Sequence, residues 1–372
     1  MSIKDKSEVI IWHECDGEAD LTANLLEDVA RELSEITNVN YKIEIMNIVE
    51  YIEALTNIHK TKKGPHLALI PSDLTAFAEQ GLFSDVPEAL LQGYVNKKTC
   101  ETMSYKGKQY GVPIIGGNNA VVYYNKELVK DVPMDFEDLK RMKGNLKKEG
   151  IVPIAVDLET PYWFIPFFSA FGGWPIKDEN LDLDHEALKE TFSFLREAIH
   201  EGVIVHYKAT DAMLKNFIDG KIACILNGEW VYSYLSKKCE DKLGVCLMPT
   251  IEGKQTKVAT STVGWVFPCK SLESEYKKPI MEFVNYMISD ECQLRLFNEV
   301  HRLPVSKKII KEVEENASEN IKGILKQLNF SEGIPVDLKM RDIWDDIELG
   351  LSMVKDDSIS IEDIVKAVLH QN

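Results

Sequence analysis

The sequence predicts an α/β protein folded as two lobes, and three observations carry that expectation. Apolar strand-like runs alternate with amphipathic helical stretches from the start of the chain. The same alternation begins again beyond residue 120. The length of 372 residues suits two domains better than one, at roughly 100–200 residues each.

Glu8 to His13 is a short apolar run rich in β-branched residues and reads as the first strand. Leu21, Leu25, Val29, Ala30, Leu33 and Ile36 then recur near helical spacing, which makes 21–36 an amphipathic helix. Tyr41 to Met46 alternates with period two as a second strand, and a helix follows over 50–59. Gly64-Pro65 punctuates, His66 to Ile70 reads as a buried third strand, and Ser72-Asp73 caps a helix running to Gly81. This βαβαβ opening implies an open sheet covered by helices. In the second unit, Ala120 to Asn125 and Ile151 to Val156 are strands separated by a helix carrying Phe136, Leu139 and Met142. Glu186 to Glu201 is a long helix closed by Gly202. Apolar runs at 222–226, 244–248 and 262–267 precede a C-terminal third that reads as almost wholly helical.

Composition narrows the function. Apolar side chains make up 45% of the chain, charged ones 28% and aromatics 9%, which excludes disordered and collagen-like classes. Sixty acidic against 43 basic residues give a formal charge of −17, so nucleic acid and anionic membrane surfaces are not expected partners. No apolar run approaches eighteen residues, so no membrane insertion is expected. The seven cysteines are odd in number, include no C-x-x-C pair and fall partly in apolar runs, as buried thiols of a reducing compartment would. Met1 to Lys6 leads straight into the first strand without an export signal. As it stands the chain is therefore expected in the cytoplasm; with a leader removed it would be extracytoplasmic or tethered as a lipoprotein.

Enzyme and cofactor motifs are missing. There is no G-x-G-x-x-G after a strand, no G-x-x-x-x-G-K-[ST], no G-x-S-x-G and no H-E-x-x-H. Gly111 to Gly117 is glycine-rich, yet no Lys-Ser or Lys-Thr follows, so it reads as a hinge or turn. His200 and His206 are separated by the helix-ending Gly202 and form no i,i+4 metal face, and no metal or cofactor is expected. Asp342, Asp345, Asp346 and Glu348 read as a solvated helix face.

A set of segments in a shared order carries a resemblance. They are Val9 to Trp12, Gly64 to Asp73, Ala78 to Phe83, Tyr105 to Pro113, Tyr123 to Leu128, Pro161-Tyr162-Trp163, Phe171 to Trp174, Asn227-Gly228-Glu229-Trp230 and Gly244 to Pro249. Together they resemble the solute-binding proteins of ABC transporters, in the carbohydrate-binding family that includes maltose-binding protein. The resemblance implies a periplasmic-binding-protein-like fold, two α/β lobes joined by a hinge, with ligand trapped in the cleft on closure. It divides the chain into residues 1–115 with 263–312 and residues 116–262 with 313–372. Gly116, Gly117 and Gly264 fall where the chain would cross.

The same resemblance implies a ligand set. Trp230, Trp344 and Tyr162 match aromatics that stack on sugar rings, whose C–H faces are apolar. Asp16 and Asp73 match carboxylates that accept from hydroxyls. Glu14, His13, Asn118 and Asn119 are nearby polar candidates. Trp163, Phe164, Phe167 and Phe168 read instead as core. Where maltose-binding protein carries a tryptophan and an arginine flanking the aspartate that Asp73 matches, this chain has Ile70 and Leu74. Thr160 and Gly17 likewise replace a glutamate and a lysine. A different or less polar saccharide than maltodextrin is therefore expected. The expected protein is a non-enzymatic, monomeric carbohydrate binder serving the membrane subunits of an ABC transporter. The alternatives are a cytoplasmic ligand sensor or partner-binding protein that reuses the fold, with a sensor protein as partner in place of the transporter, and a glycoside-acting enzyme.

Overall fold

The computed structural model describes residues 7–15, 17–91, 94–146, 149–177 and 180–371. A six-stranded sheet runs in the order Leu303–Pro304, Gly111–Gly116, Val263–Val266, Leu67–Pro71, Glu8–Glu14 and Asn40–Met46. Its last three strands are parallel, as βαβ connections require, and the others pair antiparallel. The helix Thr22–Thr37 turns Leu25, Leu26, Val29 and Leu33 onto this sheet. Lys277–Met287 and Asp290–Val300 return to the same core through Ile280, Phe283, Val284 and Leu296. Ile48–Thr61 starts with a capping box: the Asn47 side chain accepts the Glu50 N–H, and Glu50 reaches back to the Asn47 N–H.

The second sheet has the order Ile204–His206, Val152–Val156, Ile222–Gly228, Ala120–Asn125 and Leu243–Cys246. Its core gathers Phe164, Phe167, Phe168, Phe192 and Leu195, with Ile347, Leu351, Ile364 and Val365 from the C-terminal helices. Asp184 caps the helix His185–His200 by accepting the Ala187 N–H. Two short strands, Val258–Thr260 and Ser331–Gly333, pair in parallel.

Three expectations are corrected. Residues 72–80 wind as a 3-10 helix, tight enough to bury six of nine side chains. Helix Lys307–Asn316 buries Ile309 and Val313 against Leu235, Ile321 and Ile324 of the second lobe. The expected boundary at residue 312 falls inside this helix rather than between elements. Gly264 is not at a crossing: it lies inside Val263–Val266, paired with Ile70 and Pro113. A Cβ there would stand 2.3 Å from the Met103 sulfur and 2.5 Å from the Val112 carbonyl oxygen, so close packing is what requires glycine.

The chain passes between the sheets at residues 117–119, 261–262 and 305–306. Gly117 has φ +87°, a left-handed conformation that favours glycine, and Gly116 ends a strand opposite Leu303. The Ser261 N–H and the Thr260 hydroxyl both donate to the Gly117 carbonyl, and Asn118 Nδ2 donates to Ser261 Oγ at 2.9 Å. The first two crossings are thus tied side by side.

Candidate functional site

A cavity of about 670 Å³ lies beside these crossings and is lined from both lobes. That size suits a small-molecule ligand. Its second-lobe wall is aromatic. Tyr162 and Trp163 lie with ring centroids 5.0 Å apart and nearly perpendicular, and Trp230 stands 6.2 Å and 6.1 Å from them. Pro161 opens the 3-10 turn Pro161–Phe164, and Phe164, Phe167 and Phe168 anchor the segment in the core. Tyr162 and Trp163 are left on the cleft side. Trp163 is part of the core, as expected, and also lines the cavity, which its place in a mixed aromatic cluster did not signal.

Trp230 follows directly from its neighbours. Asn227 folds its side-chain oxygen onto the Gly228 N–H at 2.8 Å. A Cβ on Gly228 would come within 2.2 Å of the Trp230 ring, so the glycine makes room for the indole. Trp344 also lines the cavity, with Arg341 and Glu348 on the same face of the helix Met340–Met353. Tyr162 spends its hydroxyl on the hinge, 3.2 Å from the carbonyl oxygens of both Asn118 and Ala259. Its ring alone is available to a ligand.

Among the polar candidates, His13, Glu14, Asp73 and Asn118 line the cavity. His13 is buried, and neither ring nitrogen has a hydrogen-bond partner. Burial lowers its pKa to about 4, so the ring is neutral at physiological pH. Desolvation beside the apolar first-lobe wall raises the Asp73 carboxyl to about 6, opposed by its own backbone N–H. Asn119 is corrected: its side chain is fully buried, donates to the Ala120 carbonyl and does not line the cavity. Asp16 lies outside the described residues.

A buried ionic hub had no sequence signal. Arg302, 3% exposed, places Nε 3.1 Å from Oε1 of Glu229, itself 1% exposed, without hydrogen-bond alignment. Its Nη1 lies 3.4 Å from Asp20 Oδ2, and its Nη2 donates to Asn118 Oδ1 at 2.8 Å. Burial pushes the Glu229 carboxyl up, and the guanidinium opposes that shift. His13, Cys15 and Asp20 bring possible metal-ligand atoms within 4.8 Å of one another, a grouping that sequence spacing did not suggest. The Asp20 carboxylate is already engaged by the Thr22 N–H and by Arg302. All seven cysteines are free of disulfides, and burial raises the Cys246 and Cys292 thiols to about 12.

Two α/β lobes, adjacent crossings and a cleft walled from both sides define a two-lobed binding protein. Residues 29–322 match the family of bacterial extracellular solute-binding proteins, and the chain belongs to that family of binders rather than enzymes. It is 22% identical to the maltodextrin-binding protein MdxE of Bacillus subtilis, over 86% of this chain and 79% of the relative. A maltooligosaccharide ABC transporter solute-binding lipoprotein of Streptococcus pneumoniae is 23% identical, over 86% and 78% of the two chains. A maltotriose-binding protein of Pyrococcus abyssi is 24% identical, over 96% and 80%. The cytoplasmic expectation finds no support in a family described as extracellular, with which the extracytoplasmic alternative is consistent. Among the described residues no helix is long and apolar enough to cross a membrane.

Proposed function

We propose that this chain binds a mono- or oligosaccharide between its lobes, closes over it, and delivers it to the membrane subunits of an ABC transporter from outside the cytoplasm. The observation that carries the reading is the wall of Tyr162, Trp163 and Trp230 inside the interlobe cavity, a surface matched to the apolar faces of pyranose rings. Relatives named for maltodextrin, maltooligosaccharide and maltotriose binding support the same class. Asp73, with no ion-pair partner among the described residues, serves as an acceptor for ligand hydroxyls, and Glu14 and Trp344 complete the contacts. The crossings at 117–119 and 261–262 act as the hinge, with Gly117 as its flexible point.

A thermal-shift screen over a saccharide library tests the reading, because a ligand that binds only the folded state raises its melting temperature. Stabilisation by at least one saccharide, without hydrolysis, is expected. Trp230→Ala should then weaken that saccharide by more than about tenfold in calorimetry. No stabilisation by any carbohydrate overturns the function, and unchanged affinity in the variant overturns the role of Trp230.

A further inference from the structure

The cleft has a second wall, on the first lobe, and much of it is aliphatic. On the first lobe Ile48, Val49 and Ile52, from the start of the helix Ile48–Thr61, line the cavity together with Leu74 and Phe77. Leu338 of the segment ahead of Met340–Met353 lines the cavity too and packs against the same apolar cluster. Val49 is 73% exposed, and nothing among the described residues covers it. Of the polar groups on this side, Asn47 caps its helix and Asp20 holds Thr22 and Arg302, while Asp73 and Glu14 are the acceptors that the proposed function gives to hydroxyls. Hydroxyls pressed against the aliphatic side chains would lose their water partners without replacement, at a cost of roughly 1–3 kcal/mol each. An all-hydroxylated oligosaccharide meets that penalty wherever it lies on Ile48, Val49, Ile52 and Leu74 rather than beside Asp73 and Glu14.

We infer that the ligand is an amphipathic glycoside, whose sugar ring lies on Tyr162, Trp163 and Trp230 and whose apolar aglycone or acyl substituent lies against Ile48, Val49, Ile52 and Leu74. The inference rests on the carbohydrate reading and adds a ligand class to it. The apolar half gains about 25 cal/mol for each Å² removed from water, so burying one face of a phenyl-sized group improves affinity about tenfold or more.

The experiment is calorimetry with matched methyl and 4-nitrophenyl glycosides of glucose, galactose, maltose, lactose and cellobiose. For a sugar that binds, the nitrophenyl glycoside should bind at least about tenfold more tightly than the methyl glycoside. Val49→Ser and Ile52→Ser should each shrink that ratio; the exposed Val49 gives a variant whose folding is not at stake. Equal affinities within every binding pair overturn the inference and leave the carbohydrate reading standing. A ratio that survives both serine variants but collapses in Trp230→Ala also overturns it, because the aryl group would then sit on the aromatic wall. If neither glycosides nor free saccharides bind, the carbohydrate reading falls and the inference with it.

Discussion

In the proposed function Asp73 ties stability, pH and ligand together in one side chain. Its carboxyl is raised from 3.8 to about 6 by burial. Between about pH 4 and 6 the unfolded chain has released this proton while the folded chain keeps it, so the contribution of Asp73 to stability falls as pH rises. Asp73→Asn removes the titration. The melting temperature of the variant relative to the parent should climb from pH 4 to pH 7, by the equivalent of about 1 kcal/mol for a partly exposed group. A flat difference across that range would show that the side chain is not shielded. Parental saccharide affinity should also drop below pH 6, and that drop should vanish in the variant. Trp230, Trp344, Tyr162 and Asp73 were legible as cleft residues only through resemblance. Trp163 was not, because its neighbours Phe164, Phe167 and Phe168 are fully buried and the cluster reads as one body of core.

At the scale of elements, long periodic segments were legible and short ones were not. Thr22–Thr37 and His185–His200 lie within a residue of their amphipathic patterns, since burial of one face decides them. Leu303–Pro304 and Val258–Thr260 are too short to carry a period and are defined by their pairing, with the end of Gly111–Gly116 and with the equally short Ser331–Gly333. These short strands flank the crossings, so the hinge was the least legible part of the fold. Its clamp is the Tyr162 hydroxyl between the Asn118 and Ala259 carbonyls. Tyr162→Phe keeps the ring and removes the clamp, at a cost of about 1 kcal/mol. We expect a lower melting temperature and a larger radius of gyration of the ligand-free protein in X-ray scattering, with less loss of sugar affinity than in Trp230→Ala. Unchanged scattering and melting would mean that the clamp does not set the lobe angle.

Across the whole molecule, Arg302 joins what the chain keeps far apart. It lies beside the third crossing, pairs with Glu229 of the second lobe and Asp20 of the first, and bonds Asn118 at the first crossing, which bonds Ser261 at the second. No local pattern around His301-Arg302-Leu303 announces this, because the partners meet only after both sheets have formed. Arg302→Met leaves two carboxylates without their counter-charge and should cost about 3–5 kcal/mol in urea unfolding, with part of it regained in Arg302→Met/Glu229→Gln. No recovery in the double variant would assign the loss to packing instead. Tyr162 lines the cavity with its ring and holds its oxygen 3.2 Å from the carbonyls of Asn118, at the first crossing, and Ala259, just ahead of the second. In the proposed function occupancy and posture therefore share a lever: a guest that tilts the ring pulls on the atoms that fasten it to the crossings.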